Sequence, residues 1–173
     1  SAPPGYQSLA AAEIPTVALP DSAGTLRVIA GNFDGVIGPA RTFTPINLWD
    51  ITLAAGHRAV FPTPNGHTTA LFLRQGKLRL PIARPAENST PGEPIATEFA
   101  NATITVAPTL ALFAREGDAV VVEAIEDASL LVLDGQPIPE PIVGSGPFVM
   151  NTREEIRQAF EDYQNGRMGR ISS

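Results

Sequence analysis

The chain has no cysteine, which excludes disulfides, thiolate nucleophiles and thiolate metal sites at once. Imidazole is nearly as scarce, because the only histidines are His57 and His67. Aromatic residues make up 6% and Trp49 is the single tryptophan. Cations are outnumbered: 12 Lys and Arg stand against 18 Asp and Glu, for a formal charge of −6. That balance opposes binding to a phosphate backbone, which needs a concentrated positive field, so no direct contact with nucleic acid is expected. No apolar run approaches the roughly 20 residues that span a bilayer, so membrane insertion is not expected either. Ser1-Ala2-Pro3-Pro4-Gly5 has neither the basic start nor the apolar stretch of a secretory signal. The missing cysteines are compatible with a reducing cytosol without requiring it, and a cytoplasmic protein is the expectation.

What is plentiful is glycine and proline, 15 and 17 residues, set between short apolar segments in a chain of 173. That length allows one sizeable core and would cramp two. Pro3, Pro4 and Gly5 read as an extended leader, with a helical turn over Leu9 to Glu13 that Pro15 ends. Strands are expected over Thr25–Ala30, Trp49–Leu53, Arg58–Pro62, Ala102–Val106, Leu110–Ala114, Ala119–Ala124 and Leu130–Leu133. Thr69–Arg74 running through Gly76 into Leu78–Ile82 reads as a hairpin, with Pro81 placing its far end at a sheet edge. The last two strand segments are continuously apolar and suit the interior of a closed sheet. Residues 83–94 form a polar, proline-rich loop, and its Asn88-Ser89-Thr90 sequon is taken as a chance match. Short strands at even spacing without intervening helices indicate an all-β jelly roll.

One stretch departs from this pattern. Gly146-Pro147 breaks the preceding run, Thr152 and Glu155 have capping-box spacing, and Ile156, Ala159, Phe160 and Tyr163 recur at helical intervals before Gly166. The chain therefore divides into a leader over 1–24, a barrel over 25–145, and a helix with its tail over 146–173.

Residues able to do chemistry are few. His57 and His67 could hold a metal only with a converging carboxylate such as Glu98 or Glu123. The plainer reading is two solvated loop histidines. Ser145 lies in Val-Gly-Ser-Gly-Pro, which does not match a nucleophile elbow and reads as a flexible connection. The pairs Glu154-Glu155 and Glu161-Asp162 sit at adjacent helix positions that do not face each other. Trp49 shares a strand face with Ile51 and Leu53, which suits packing better than ligand stacking.

Two segments resemble the pirin family, whose members are built from two cupin barrels. Gly146-Pro147-Phe148-Val149-Met150-Asn151-Thr152, then Glu154-Glu155-Ile156, then Ala159-Phe160 and Asp162-Tyr163-Gln164 with Gly166, is similar to the family's C-terminal signature. Tyr6-Gln7, Ile14-Pro15, Val28-Ile29-Ala30-Gly31 and Gly35 resemble the segment that opens its second half. The resemblance implies a cupin-type double-stranded β-helix, a jelly-roll barrel, with a C-terminal α-helix. It also implies that an N-terminal cupin, absent from this sequence, carries non-haem iron or another divalent metal. Some members act as quercetin 2,3-dioxygenases and others as transcriptional co-regulators.

Laid on Gly56 to Gly76, the ligand positions of a metal-binding cupin fall on Pro62, Pro64 and Thr68 or Thr69, and a later one on Val120. None is a usual metal ligand, so no cofactor and no catalytic residue are expected here. The expected role is a metal-free, structural half whose partner is the N-terminal cupin of the same protein. The isolated chain would then tend to self-associate, and a protein partner is a further option. The alternative is a small-ligand-binding cupin module without metal, with His67, Arg58 and Glu123 as ligand-facing candidates.

Overall fold

The structure is a computed structural model that describes residues 6–81 and 102–169. The opening Pro3-Pro4-Gly5, Ile82, the loop with its sequon at Asn88, and Glu98 lie outside the described residues. The chain divides between Pro137 and Ile138 into two compact units.

The larger unit consists of antiparallel strands in two main sheets. The first runs in the order β1 (Thr16–Ala18), β2 (Gly24–Ala30), β5 (Ile46–Leu53), β12 (Ala128–Gly135), β7 (Thr68–Gln75) and β10 (Thr109–Leu112). The second runs β6 (Arg58–Pro62), β11 (Ala119–Ala124), β8 (Lys77–Leu80) and β9 (Thr103–Val106). A small hairpin of β3 (Asn32–Phe33) and β4 (Val36–Ile37) turns on Asp34-Gly35, both at positive φ. Thr16–Ala18, within the stretch read as a leader, pairs with β2 as the edge strand β1. Of the turn expected over Leu9 to Glu13, a short 3-10 helix forms at Ala11–Glu13.

Alternation decides which side chains meet between the sheets. Leu26, Val28, Trp49, Ile51, Phe61, Leu71, Leu73, Leu78, Val122, Leu130 and Val132 are each at most 1% exposed. Each such side chain contributes about 1.5–3 kcal/mol relative to leaving it in water. Trp49 stands edge-on to Phe33 with ring centroids 5.2 Å apart and lies 6.4 Å from Phe61, which places it in the core as its strand pattern predicts.

Two expectations need correction. β7 and β8 do not pair as a hairpin: β7 lies between β12 and β10, and β8 between β11 and β9. The chain turns a corner from one sheet into the other at Gly76. There φ is +87°, and a β-carbon would come within 2.1 Å of the Asp127 carbonyl oxygen. Pro81 falls just beyond β8, whose last residue, Leu80, pairs only with Thr103 of β9. Nor is β12 buried on both sides, because Leu130 and Val132 face the core while Leu133 is 40% exposed on the other face.

The smaller unit is a hairpin and a helix. β13 (Val143–Ser145) pairs with β14 (Phe148–Met150) across Gly146-Pro147, so Ser145 belongs to a strand and not to a flexible connection. Helix α1 spans Arg153–Gln164 behind a complete capping box. Thr152 Oγ1 accepts from the Glu155 N–H at 3.2 Å, and Glu155 Oε2 accepts from the Thr152 N–H at 2.9 Å. Its apolar stripe packs on its own hairpin, where Phe148 meets Phe160 edge-on at 5.0 Å and Tyr163 at 6.1 Å. Gly166, at positive φ, donates to the Tyr163 carbonyl beyond the helix end. Among the described residues no helix is long and apolar enough to cross a membrane.

Candidate functional site

Three neighbouring strands bring one inward-facing row to the end of the six-stranded sheet. Register sets Asp134 of β12 opposite Asn47 of β5 on one side and Thr69 of β7 on the other. The next rows in are apolar, with Val132 opposite Trp49 and Leu71. The barrel is thus filled by hydrocarbon and closed at one end by a polar layer.

Asp134 is 2% exposed, and burying a carboxylate is costly unless it is hydrogen-bonded. Here it is well supplied. Asn47 Nδ2 donates to Oδ2 at 2.9 Å and Thr69 Oγ1 donates to Oδ1 at 3.2 Å. His67 Nδ1 lies 3.1 Å from Oδ2 and 3.2 Å from Oδ1. Asn47 Oδ1 in turn accepts from the Asn32 N–H at 3.1 Å, which connects the row to the β3–β4 hairpin. Gly31 leaves room for this contact, because a β-carbon there would stand 2.0 Å from Asn47 Oδ1.

His67 occupies the expected turn, with its backbone N–H donating to the Pro64 carbonyl at 3.1 Å. Its side chain is not solvated, however. It is only 15% exposed, because the buried carboxylate draws one edge of the ring inward. His57 precedes β6, where its Nδ1 lies 3.1 Å from the Ala55 carbonyl. Among the described residues the two histidines share no partner.

The other two candidates lie elsewhere. Arg58 and Glu123 face each other across β6 and β11 on the side turned away from the core, with Arg58 Nε 3.1 Å from Glu123 Oε2. Arg79 of β8 holds the second oxygen at 3.1 Å. The structure therefore brings Arg58 and Glu123 together and keeps His67 apart from both.

Sequence reasoning missed Asp134, and with it Asn47. The signal was available: Leu130, Val132 and Asp134 share one parity, so an acid continues the core-facing side of an apolar strand. Ending that strand at Leu133 hid it.

These residues do not fit a non-haem metal. Among the described residues no three His, Asp or Glu side chains converge. The one imidazole–carboxylate pair is turned on itself and on Asn47 and Thr69. Of the cupin ligand positions, Val120 points into the core at 4% exposure and Thr69 is committed to Asp134.

Beside His67 an open cleft of about 400 Å³ lies between the β3–β4 hairpin, the start of β5 and the loop before β7. A second depression of about 340 Å³ lies at the opposite end of β12. Its one acid, Asp127, is spent on the Ala55 N–H at 2.9 Å.

Known proteins agree with this architecture. The chain is 44% identical over 165 residues to a Pseudomonas aeruginosa protein provisionally named a quercetin 2,3-dioxygenase, covering 95% of this chain and 51% of that one. It is 32% identical over 169 residues to pirin of Homo sapiens, covering 96% and 51%. A crystal structure of quercetin 2,3-dioxygenase from Acinetobacter baumannii superposes with a TM-score of 0.77 at 36% identity, covering 97% of this chain and 52% of that one. The chain thus spans about half the length of the curated relatives it matches. Residues 48–169 match the family model of the pirin C-terminal cupin domain, and the chain belongs to the pirin family as a domain of that kind.

Proposed function

We propose that this chain is the scaffold half of a two-cupin protein of the quercetin 2,3-dioxygenase type, with iron or another divalent metal held by the N-terminal half. The observation that carries this reading is the donor set at the barrel mouth. Asn47, Thr69 and one ring nitrogen of His67 are turned on Asp134, and Pro62, Pro64 and Val120 stand where a metal-binding cupin places ligands. A reactive cation needs several oxygen or nitrogen donors turned towards it, and here the carboxylate is turned towards protein donors.

The outer face of the six-stranded sheet supports the same reading. Register lines up Leu110, Phe72 and Leu131 in one row, and Leu112, Ala70, Leu133 and Leu48 in the next. Leu112 is 74% exposed and Leu110 58%. A contiguous apolar face of this kind marks an interaction surface. Its occupant on this reading is the N-terminal cupin of the same protein, and the chain alone self-associates through it. A cytoplasmic setting suits a chain without cysteine.

The test is elemental analysis of this chain and of the two-cupin protein, each purified from medium containing iron, nickel and zinc. The expected result is stoichiometric metal in the two-cupin protein only. One equivalent of any of these metals on this chain alone would overturn the proposal.

A further inference from the structure

Asn-Gly occurs twice in this chain, at Asn65-Gly66 and at Asn165-Gly166. Asparagine is thermolabile, and a glycine after it lacks the side chain that would shield its amide nitrogen from the asparagine Cγ. The fold treats the two pairs differently.

Asn165 follows α1 and is tied by three hydrogen bonds. Its Nδ2 donates to the Glu161 carbonyl at 2.7 Å, its backbone N–H donates to the same oxygen at 3.0 Å, and the Gly166 N–H donates to the Tyr163 carbonyl at 3.1 Å. No donor reaches its Oδ1 among the described residues. Asn65 is the reverse case. Both Asn65 and Gly66 are exposed in the loop between β6 and β7, and a β-carbon on Gly66 would meet nothing within 4 Å. Asn65 Oδ1 accepts from the Gly117 N–H at 3.1 Å, so a donor already faces the oxygen on which negative charge would develop. Its Nδ2, the group that would leave, makes no hydrogen bond among the described residues. One contact opposes reaction: the Gly66 N–H donates to the Arg115 carbonyl at 2.7 Å and has to open first. That bond lies in a surface loop, where local opening costs least.

We infer that Asn65 is a site of self-modification, at which the chain turns its own amide into isoaspartate and so loosens His67. The Gly66 nitrogen bonds to Asn65 Cγ, its proton passes to Nδ2, and the Cγ–Nδ2 bond breaks to release ammonia and close a succinimide. Water then opens that ring. Cleavage at Cγ gives aspartate, and cleavage at the backbone carbonyl gives isoaspartate, whose main chain runs through the side-chain carbons. No other reagent is required. The additional main-chain atom cannot be fitted into a turn closed by the His67 N–H and the Pro64 carbonyl while Gly117 and Arg115 hold the same loop, and His67 Nδ1 is drawn off Asp134. The inference goes beyond the scaffold reading and does not depend on it.

The purified chain is incubated at physiological temperature and mildly alkaline pH, both folded and in guanidinium chloride, then digested for peptide mass analysis. A protein-isoaspartate methyltransferase reports isoaspartate at each site. Unfolded, the two dipeptides should react at similar rates. Folded, Asn65 should convert roughly tenfold faster than Asn165, the worth of the hydrogen bonds that differ. The isoaspartyl form should show displaced His67 imidazole resonances, whereas Asn65→Asp, which adds the charge without the additional atom, should leave them in place. Equal rates in the folded chain, conversion at Asn165 first, no conversion at Asn65, or unmoved His67 resonances in the isoaspartyl form would each overturn the proposal, as would an Asn65→Asp chain whose His67 resonances move as far. If that variant fails to fold, the two sites compared within the unaltered chain decide the matter.

Discussion

Asp134 Oδ2 lies 3.1 Å from His67 Nδ1, and the carboxylate making that contact is wholly buried. Its oxygens also accept from Asn47 and Thr69, so one side chain ties three strands together. Asp134→Ala should leave those donors without an acceptor and destabilise the chain by about 3 kcal/mol. Thr69→Val removes one donor and should cost about 1 kcal/mol. Urea unfolding of both variants measures the difference, and equal small shifts would show that the network does not hold the barrel mouth.

Trp49 reports on the core because it is the only tryptophan and is 1% exposed. Its emission should lie at the blue end in the folded chain and move to the red in a single step in denaturant. Trp49→Ala, which empties the space beside Phe33 and Phe61, should cost about 3–5 kcal/mol. A red-shifted native emission would contradict the packing described.

Near the end of α1, Gln158 Nε2 donates to Asp162 Oδ1 at 2.9 Å and Arg167 Nε donates to the same oxygen at 2.8 Å. Both bonds favour the ionised carboxyl and hold it below its ordinary value of 3.8. The folded value is therefore depressed. Any stabilisation it gives is present above 3.8 and is lost as pH falls through the lower folded value. Carbon-detected NMR titration should find Asp162 titrating below the ordinary range, and rising towards it in Arg167→Ala. An unchanged titration in the variant would remove Arg167 as a cause.

The exposed row of Leu110 and Leu112 should govern association. Leu110→Lys with Leu112→Lys is expected to shift the chain towards monomer in analytical ultracentrifugation. Stability should change by no more than about 0.5 kcal/mol, because neither side chain is in the core. Unaltered sedimentation would mean that this face is not the one used.

Much of this was legible in the sequence where one residue type has one physical use. Alternation around Trp49 marked β5, and the Thr152–Glu155 spacing marked the start of α1, because in both cases the pattern is local. The corner at Gly76 was not legible. Turn residues flanked by alternating segments look alike whether the strands fold back on each other or part into two sheets, and only the approach of Asp127 decides. The polar row was hidden for a related reason. Asn47, Thr69 and Asp134 are far apart in sequence, and each looks like a surface residue until register sets them side by side. The apolar outer face of β12 was misread as interior because sequence alone does not reveal which neighbour covers a hydrophobic strand.

Gly76 has a consequence for how this chain can change over generations. With a carbonyl oxygen where any first side-chain carbon would go, the codon at that position has almost no neutral alternatives. Gln75 beside it is exposed and can vary at little cost. Mutational tolerance should therefore drop abruptly at a single surface bend, at a place that composition and hydropathy would mark as ordinary loop.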